Sequence, residues 1–303
     1  MQLFKPTISL SGGVGNQLFQ WAAAHVLFKK TVFNLNLGHY QINPDREFEL
    51  DLILESCIHC SGYVTNIGRT PLPKYFEWAA ARGVPSNLLE LLGFFQESSF
   101  DMKSQRKIQR RKSVGSPVIV EGLFQDVNIV EEAWPLIGNE LTYALTQTLE
   151  LVKTNLGLPN TYAAIHVRRG DYPITSNPSH AIGQLDDDFF IGIASVFDLP
   201  IILLTENASE VASLSKVLRA RRIISSAEAN PLQTLSILKN AELLVGSNSS
   251  LSWWGAYLAA KSGKRSYLPE TWSQWGNYEN SNLKHSLIDL SPSIWKLTSK
   301  GEQ

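Results

Sequence analysis

Three short segments of the chain combine residue types suited to holding an anion. The first is Ser11-Gly12-Gly13-Val14-Gly15-Asn16-Gln17. Glycines at 12, 13 and 15 remove the Cβ atoms that would keep backbone N–H groups away from a ligand, and the helix that follows would turn its positive end toward that ligand. A tight turn with no ligand is the plain alternative. A dinucleotide fingerprint is excluded, because Leu18 stands where the third glycine of GxGxxG belongs and Asn34 and Asn36 fill the region of the acidic ribose-binding residue.

The second segment is His166-Val167-Arg168-Arg169-Gly170-Asp171-Tyr172. Two adjacent guanidiniums are costly to place together unless an anion joins them, and the planar fork of arginine matches phosphate oxygens two at a time. A diphosphate fits. The alternative is an internal ion pair, with Asp171 neutralising one arginine and solvent the other. His166 has no nucleophile beside it in sequence and reads as a core or hydrogen-bonding residue as readily as a ligand contact. The third segment, Val245-Gly246-Ser247-Asn248-Ser249-Ser250-Leu251-Ser252-Trp253-Trp254, puts Ser249 and Ser250 at a helix start, where hydroxyls and free N–H groups form a second anion site or a simple cap. Trp253 and Trp254 are candidates for core or for substrate contact.

These segments need strands and helices to hold them, and the apolar pattern supplies both. A strand over Thr7–Leu10 runs into the glycine loop. Leu18, Phe19, Ala22, Ala23, Val26 and Leu27 then recur at helical period, and Val32–Leu37 reads as a second strand. From Tyr40 to Gly115 the pattern supports only helices near Phe76–Ala81 and Leu88–Phe95. A strand at Val118–Val120 precedes a helical stretch over Val130–Leu156 that Pro135 would kink or split. Leu158–Thr161 is the linker candidate. Beyond it, strands at Tyr162–Val167, Pro200–Thr205, Arg222–Ser225, Leu243–Val245 and Arg265–Leu268 alternate with helices at Asp187–Phe197, Ser209–Ala220, Leu232–Lys239 and Leu251–Lys261. This alternation implies a parallel, doubly wound α/β sheet, with the second segment at the carboxyl end of its strand, where such sheets bind ligands. The tail from Ser291 is expected to fray.

Composition narrows the function. The 303 residues carry 27 basic against 28 acidic side chains, which argues against a general nucleic-acid binder, since that needs a basic stripe. The one dense basic cluster, Lys103 to Lys112, reads as a solvated loop or helix face, with contact to a membrane surface as the alternative. No apolar run reaches the roughly 20 residues that span a bilayer, and the N-terminus lacks a signal-peptide layout, so a cytoplasmic protein is expected. Cys57 and Cys60 offer half a zinc site with no second pair.

Taken together and in order, the segments resemble the α1,2-fucosyltransferase family, whose members carry a GGxGNQ-type loop, an HxRRGDY strand end and an SxFSWWxAYL helix start. Glu121-Gly122-Leu123-Phe124-Gln125 looks like the family's GYFQ segment, and Lys264 to Trp272 like its closing strand and loop. Leu123 and Leu251 replace family aromatics, and Leu203-Leu204-Thr205-Glu206-Asn207 departs from a Ser-Asp-Asp segment, leaving Glu206 as the carboxylate near the nucleotide. The resemblance implies a GT-B-like architecture of two facing Rossmann-like domains, an acceptor-side domain over 1–158 and a GDP-fucose-binding domain over 159–303. It implies inverting, metal-independent transfer of L-fucose from GDP-β-L-fucose to the 2-OH of galactose in a glycan, with no cofactor and with peripheral contact at the inner membrane face where the acceptor is lipid-linked. Arg168 or Arg169 would stabilise the β-phosphate, with Ser249 and Ser250 as further contacts. Asn16, Gln17, Gly13 and Gly15 would serve the sugar side, and His166 and Trp253 would line the substrate. For the base, Asp171, Glu206, Asp126 and Glu121 are candidates.

Two rival functions follow from other features. Asp186-Asp187-Asp188 contains a literal DxD, which would make Asp186 and Asp188 metal ligands of a metal-dependent glycosyltransferase, although three carboxylates at a helix start also serve its dipole. The eight tryptophans would suit a non-catalytic sugar-binding module. That module leaves the paired arginines without purpose.

Overall fold

The computed structural model describes residues 5–29, 32–41, 47–56, 64–68, 79, 82–96, 102–169, 185–195, 197–269 and 294–297. The chain forms two compact units, Met1–Leu141 and Thr142–Gln303. The change of unit falls within a long helix, upstream of the 158/159 boundary drawn from the sequence.

In the first unit, β1 (Thr7–Ser9) leads through the glycine loop into α1 (Val14–Phe28), β2 (Phe33–Asn36), a 3-10 turn (Gly38–Gln41), α2 (Asp51–Ser56) and β3 (Val64–Gly68). Then come α3 (Ser86–Leu92), β4 (Phe94–Gln96), α4 (Met102–Ser113), β5 (Ile119–Glu121) and the start of α5 (Val127–Leu156). The strands pair in parallel in the order β3-β2-β1-β5-β4. α1 is apolar on nearly every side and is buried accordingly, with Leu18, Phe19, Trp21, Ala22, Ala23, Ala24 and Phe28 all closed to solvent.

Several local expectations change here. The helix expected over Leu88–Phe95 stops at Gly93, which takes a left-handed cap (φ 94°), and Phe94–Gln96 becomes a strand because it can pair with Ile119–Glu121. The basic cluster is a helix, α4. Pro135 does not split α5 into two elements: Val130, Ala133, Ile137, Leu141, Ala144, Leu145, Leu149 and Val152 form one buried stripe, and that burial outweighs the missing N–H. The helix expected near Phe76–Ala81 and the pair Cys57/Cys60 fall outside the described residues, except for residue 79.

The second unit runs β6 (Ala163–Val167), α6 (Asp187–Ala194), β7 (Ile201–Thr205), a 3-10 turn (Ala208–Val211), α7 (Ala212–Val217), β8 (Arg222–Ser225), α8 (Pro231–Asn240), β9 (Leu243–Gly246), α9 (Ser250–Lys261), β10 (Arg265–Pro269) and β11 (Ile294–Leu297). Its strands are also all parallel, in the order β11-β10-β9-β6-β7-β8. The tail does not simply fray: Ile294–Leu297 pairs residue by residue with Ser266–Pro269 and covers what would otherwise be the open edge of β10. Among the described residues no helix is long and apolar enough to cross a membrane.

The strand order reverses between β6 and β9, so the chain leaves these neighbours toward opposite edges, the arrangement whose carboxyl ends form the ligand crevice of open α/β sheets. Alternation along β6 sets its two faces. Ile165 and Val167 join Phe190, Ile193, Leu203, Leu214 and Val245 in one core cluster, whereas His166 turns to α9. α9 comes close because Gly246 has no side chain: a Cβ there would lie 2.7 Å from Leu268 Cδ2 and 2.7 Å from Ser252 Cβ. Replacing Gly246 with alanine should therefore overpack this junction and cost about 1–3 kcal/mol. Urea unfolding of Gly246→Ala checks it, and a loss in that range is expected.

Candidate functional site

At the β6–β9 crevice one hydroxyl joins the two strand ends. Ser247 Oγ donates to the His166 carbonyl (2.8 Å) and accepts from the Arg168 backbone N–H (2.9 Å), while the Ser247 N–H donates to the same carbonyl at 3.0 Å. His166 Nδ1 shares a 2.7 Å hydrogen bond with Ser252 Oγ on α9. Burial, with the positive charge of Arg168 adding to it, pushes the His166 imidazole down to about 3, so the ring is neutral at physiological pH. His166, 4% exposed, thus fixes β6 to α9 from inside and does not reach the crevice as the expected substrate contact.

The arginines leave β6 in two directions. Arg168 Nη1 meets Glu206 Oε1 at the end of β7 at 3.0 Å. Arg169 pairs with Asp187, donates to the Leu185 carbonyl and lies over the Phe190 ring. The arginine side chains are 15% and 13% exposed, and their partners 34% and 48%. Each carboxylate therefore faces partly into water and holds its arginine extended at the rim. Asp171 and Gly170 lie outside the described residues. Asp187, between the two carboxylates of the DxD, pairs with Arg169, and Asp186 takes the N-cap position of α6. Among the described residues no three His, Cys, Asp or Glu side chains gather as metal ligands would.

Across the crevice, α9 begins with Ser249 as its N-cap, accepting from the Ser252 N–H at 3.2 Å. Ser249 is nearly closed to solvent, whereas Ser250, the first helical residue, is half-buried. Among the described residues, the N–H groups of Ser250 and Leu251 have no protein acceptor, which leaves two donors and the Ser250 hydroxyl at the positive end of a twelve-residue helix. Trp253 is fully buried, stacked on Tyr257 (5.2 Å between centroids, 9° between planes) and edge-on to Trp254. It is core, because α9 is apolar all round, and no face of it is left to line a substrate.

The glycine loop of the first unit is built differently. The N–H of Val14, the first residue of α1, donates to Glu49 Oε2 at 2.7 Å, so the positive helix end that was expected to face a ligand holds the chain's own carboxylate. Gln17 is fully buried with its amide spent locally: its Nε2 donates to the carbonyls of Gly12 and Glu47 at 2.9 Å each, and its Oε1 accepts from the N–H groups of Glu49 (3.0 Å) and Leu50 (2.9 Å). It positions the loop and cannot also serve a sugar. Tyr40 Oη donates to the Gly12 carbonyl as well, and Gln20 ties Ser11 to Gly122. Gly12 (φ +71°) is required, since a Cβ there would lie 2.5 Å from Asn16 Nδ2. Gly13 is the N-cap and Gly15 is buried in the first turn of α1.

Asn16 is the loop residue that keeps a polar edge open. It is half-buried, and its Oδ1 accepts from Gln125 Nε2 at 2.8 Å, which leaves its Nδ2 without an acceptor among the described residues. Gln125 is aimed there by Phe124, a buried aromatic at φ 51°, a region that bulky side chains rarely enter. The GLFQ segment and the glycine loop thus meet at the β1–β5 reversal of the first sheet. Of the carboxylates proposed as bases, Glu206 is paired with Arg168, Asp126 Oδ1 caps the start of α5 through Asn128, and Glu121 ends β5. Sequence reasoning missed Glu49, Tyr40 and Gln20 as organisers of the loop, none of which lies in a recognisable pattern, and missed Asp187, inside the acidic run at the start of α6, as the partner of Arg169.

No family model matches the sequence. The chain is 22% identical over 307 residues to the O-antigen biosynthesis glycosyltransferase WbnK of Escherichia coli, across 93% of this chain and 99% of that protein. It is 22% identical over 321 residues to an alpha-1,2-colitosyltransferase of Escherichia coli, across 94% and 96% of the two chains. Among solved structures, the E. coli ADP-heptose lps heptosyltransferase II aligns with a TM-score of 0.50 at 10% identity, over 97% of this chain and 90% of that one, a likeness of fold.

Burial also sets a pH dependence. His25, held edge-on between Trp21 and Phe33, is pushed down to about 4, and His166 to about 3. Between the ordinary histidine value and about pH 4, the unfolded chain therefore binds up to about two more protons than the folded one, and stability falls as pH falls through that window. Urea unfolding at pH 7 and pH 5 should show the loss, and His166→Asn should remove about half of the slope.

Proposed function

We propose that this chain is a glycosyltransferase whose nucleotide-sugar diphosphate sits in the β6–β9 crevice. The observation that carries the reading is the placement, at the carboxyl ends of neighbouring strands, of Arg168 and Arg169 after β6 and of the open donors at the start of α9 after β9. As the bond from the sugar C1 to the β-phosphate oxygen breaks, negative charge grows on that phosphate, and fixed donors there bind the transition state more strongly than the ground state. Arg168 and Arg169, with Ser250 and the adjacent N–H groups, supply them. Each guanidinium has five N–H donors, so one can stay on its carboxylate while others turn to phosphate.

At the finer level we read the reaction as inverting, metal-independent transfer of L-fucose from GDP-β-L-fucose to the 2-OH of a galactoside. The acceptor oxygen attacks C1, GDP leaves, and the acceptor proton passes to a carboxylate or to solvent. The motif resemblance, the similarity to an alpha-1,2-colitosyltransferase and the α/β fold support this reading. Asn16, with its open amide edge, is the first-unit residue suited to a sugar or leaving oxygen. The two facing domains of a GT-B enzyme are part of the same proposal. Because colitose is a fucose-like sugar, the colitosyl analogue is the second donor to test.

The direct experiment incubates the protein with GDP-fucose and a set of galactosides in the presence of a chelator, with product linkage read by mass spectrometry and NMR. An α1,2-linked product formed without metal is expected; product only after manganese is added contradicts the reading. Arg168→Lys and Arg169→Lys keep the charge and lose the fork, so turnover should fall about 10²- to 10³-fold at the more important position. Melting temperature should change little, because Glu206 and Asp187 are solvated enough to tolerate the loss of a partner. GDP at 100 times its dissociation constant should stabilise the fold by about 2.7 kcal/mol, whereas Asn16→Ala should lower turnover and spare GDP binding.

A further inference from the structure

One surface of the first unit is left unexplained by the crevice. α3 buries Leu89 and Glu90 and turns Leu88, Leu91 and Leu92 outward, at 47%, 71% and 62% exposure. Their spacing puts all three on one face of the helix. Beside them runs α4, twelve residues that include Lys103, Arg106, Lys107, Arg110, Arg111 and Lys112 and no acid. Side-chain contacts tie α4 to α3 and to the neighbouring backbone. Lys107 pairs with the buried Glu90, Arg111 donates to the carbonyls of Leu91 (3.1 Å) and Pro117 (3.0 Å), and Lys112 reaches in to the Phe28 carbonyl. Val114, 70% exposed and in line with Lys107 and Arg111, extends the apolar prongs, while Arg106 and Arg110, one turn apart and exposed, present their charge to solvent.

We propose that the α3–α4 face docks on an anionic lipid surface, with Leu88, Leu91, Leu92 and Val114 entering the headgroup boundary and Arg106 and Arg110 meeting lipid phosphates. Apolar prongs set beside solvent-facing arginines are the chemistry of interfacial membrane binding. A second copy of the chain is the less suitable occupant, because a twofold contact centred on this face would set one basic helix near the other. On the lipid, the same arginines are complemented.

Co-sedimentation tests this with phosphatidylcholine vesicles, alone or with about one-third phosphatidylglycerol, at low and high salt. The protein should pellet with the anionic vesicles, leave them at high salt and ignore the neutral ones. Arg106→Gln/Arg110→Gln should lower partitioning roughly thirty-fold, the factor two basic residues contribute at an anionic surface. Leu88→Gln/Leu91→Gln/Leu92→Gln should lower it at least as far with the melting temperature unchanged; should that triple variant fail to fold, the arginine pair decides alone. Three results would overturn the proposal: no binding to anionic vesicles at low salt, variants that bind as the parent does, or a lipid-free dimer by light scattering that the leucine substitutions dissociate.

Discussion

The hydroxyl of Ser247 sits where the second sheet changes direction, and the candidate site depends on it. Strands β6 and β9 are neighbours whose chains depart toward opposite edges, and their last backbone bond runs from the Ser247 N–H to the His166 carbonyl. Ser247 Oγ extends it by taking the Arg168 N–H and giving its proton to the same carbonyl. The backbone of Arg168 is thereby fixed, and with it the origin of both guanidiniums. The His166–Ser252 bond does the same for α9 from the buried side, and Gly246 lets that helix approach. An anion entering the crevice meets donors whose positions were set during folding, which is the condition for stabilising charge that develops only as a bond breaks.

The two units solve the same problem differently. Both place a turn at the reversal of a parallel sheet and follow it with a helix. In the first unit the helix start is occupied by Glu49 and the loop is packed by Gln17, Gln20 and Tyr40, so the glycine loop is rigid and already neutralised. A phosphate there would have to displace a carboxylate. In the second unit the helix start keeps open donors, and the nearby carboxylates hold arginines instead. By electrostatics, an added anion is favoured at the helix start of the second unit over that of the first, which already holds a carboxylate.

Much of this was legible in the sequence because it is local. Period-two strands, period-3.6 helices, the glycines before α1 and the small hydroxyls before α9 each act within a few residues of where they stand. The partners of the arginines were not legible, since Glu206 and Asp187 reach them through the pairing of β6 with β7 and the packing of α6, which no spacing encodes. Glu49 escaped notice for the same reason. Trp253 misled because an aromatic in a motif reads alike whether it faces a ligand or a core, and only the burial of α9 on all sides separates the two. The strands β4 and β11 are three and four residues long, too short for alternation to mark them, and they form because a paired neighbour offers them an edge.

The central claim is that the diphosphate binds at the β6–β9 reversal and not at the glycine loop. Hydrogen exchange read by mass spectrometry, with and without saturating GDP and in the absence of metal, tests it residue range by residue range. Protection confined to 166–169 and 246–254, with 11–17 unchanged, is the predicted result. Protection that appears first at 11–17, or none in either region, would contradict the account.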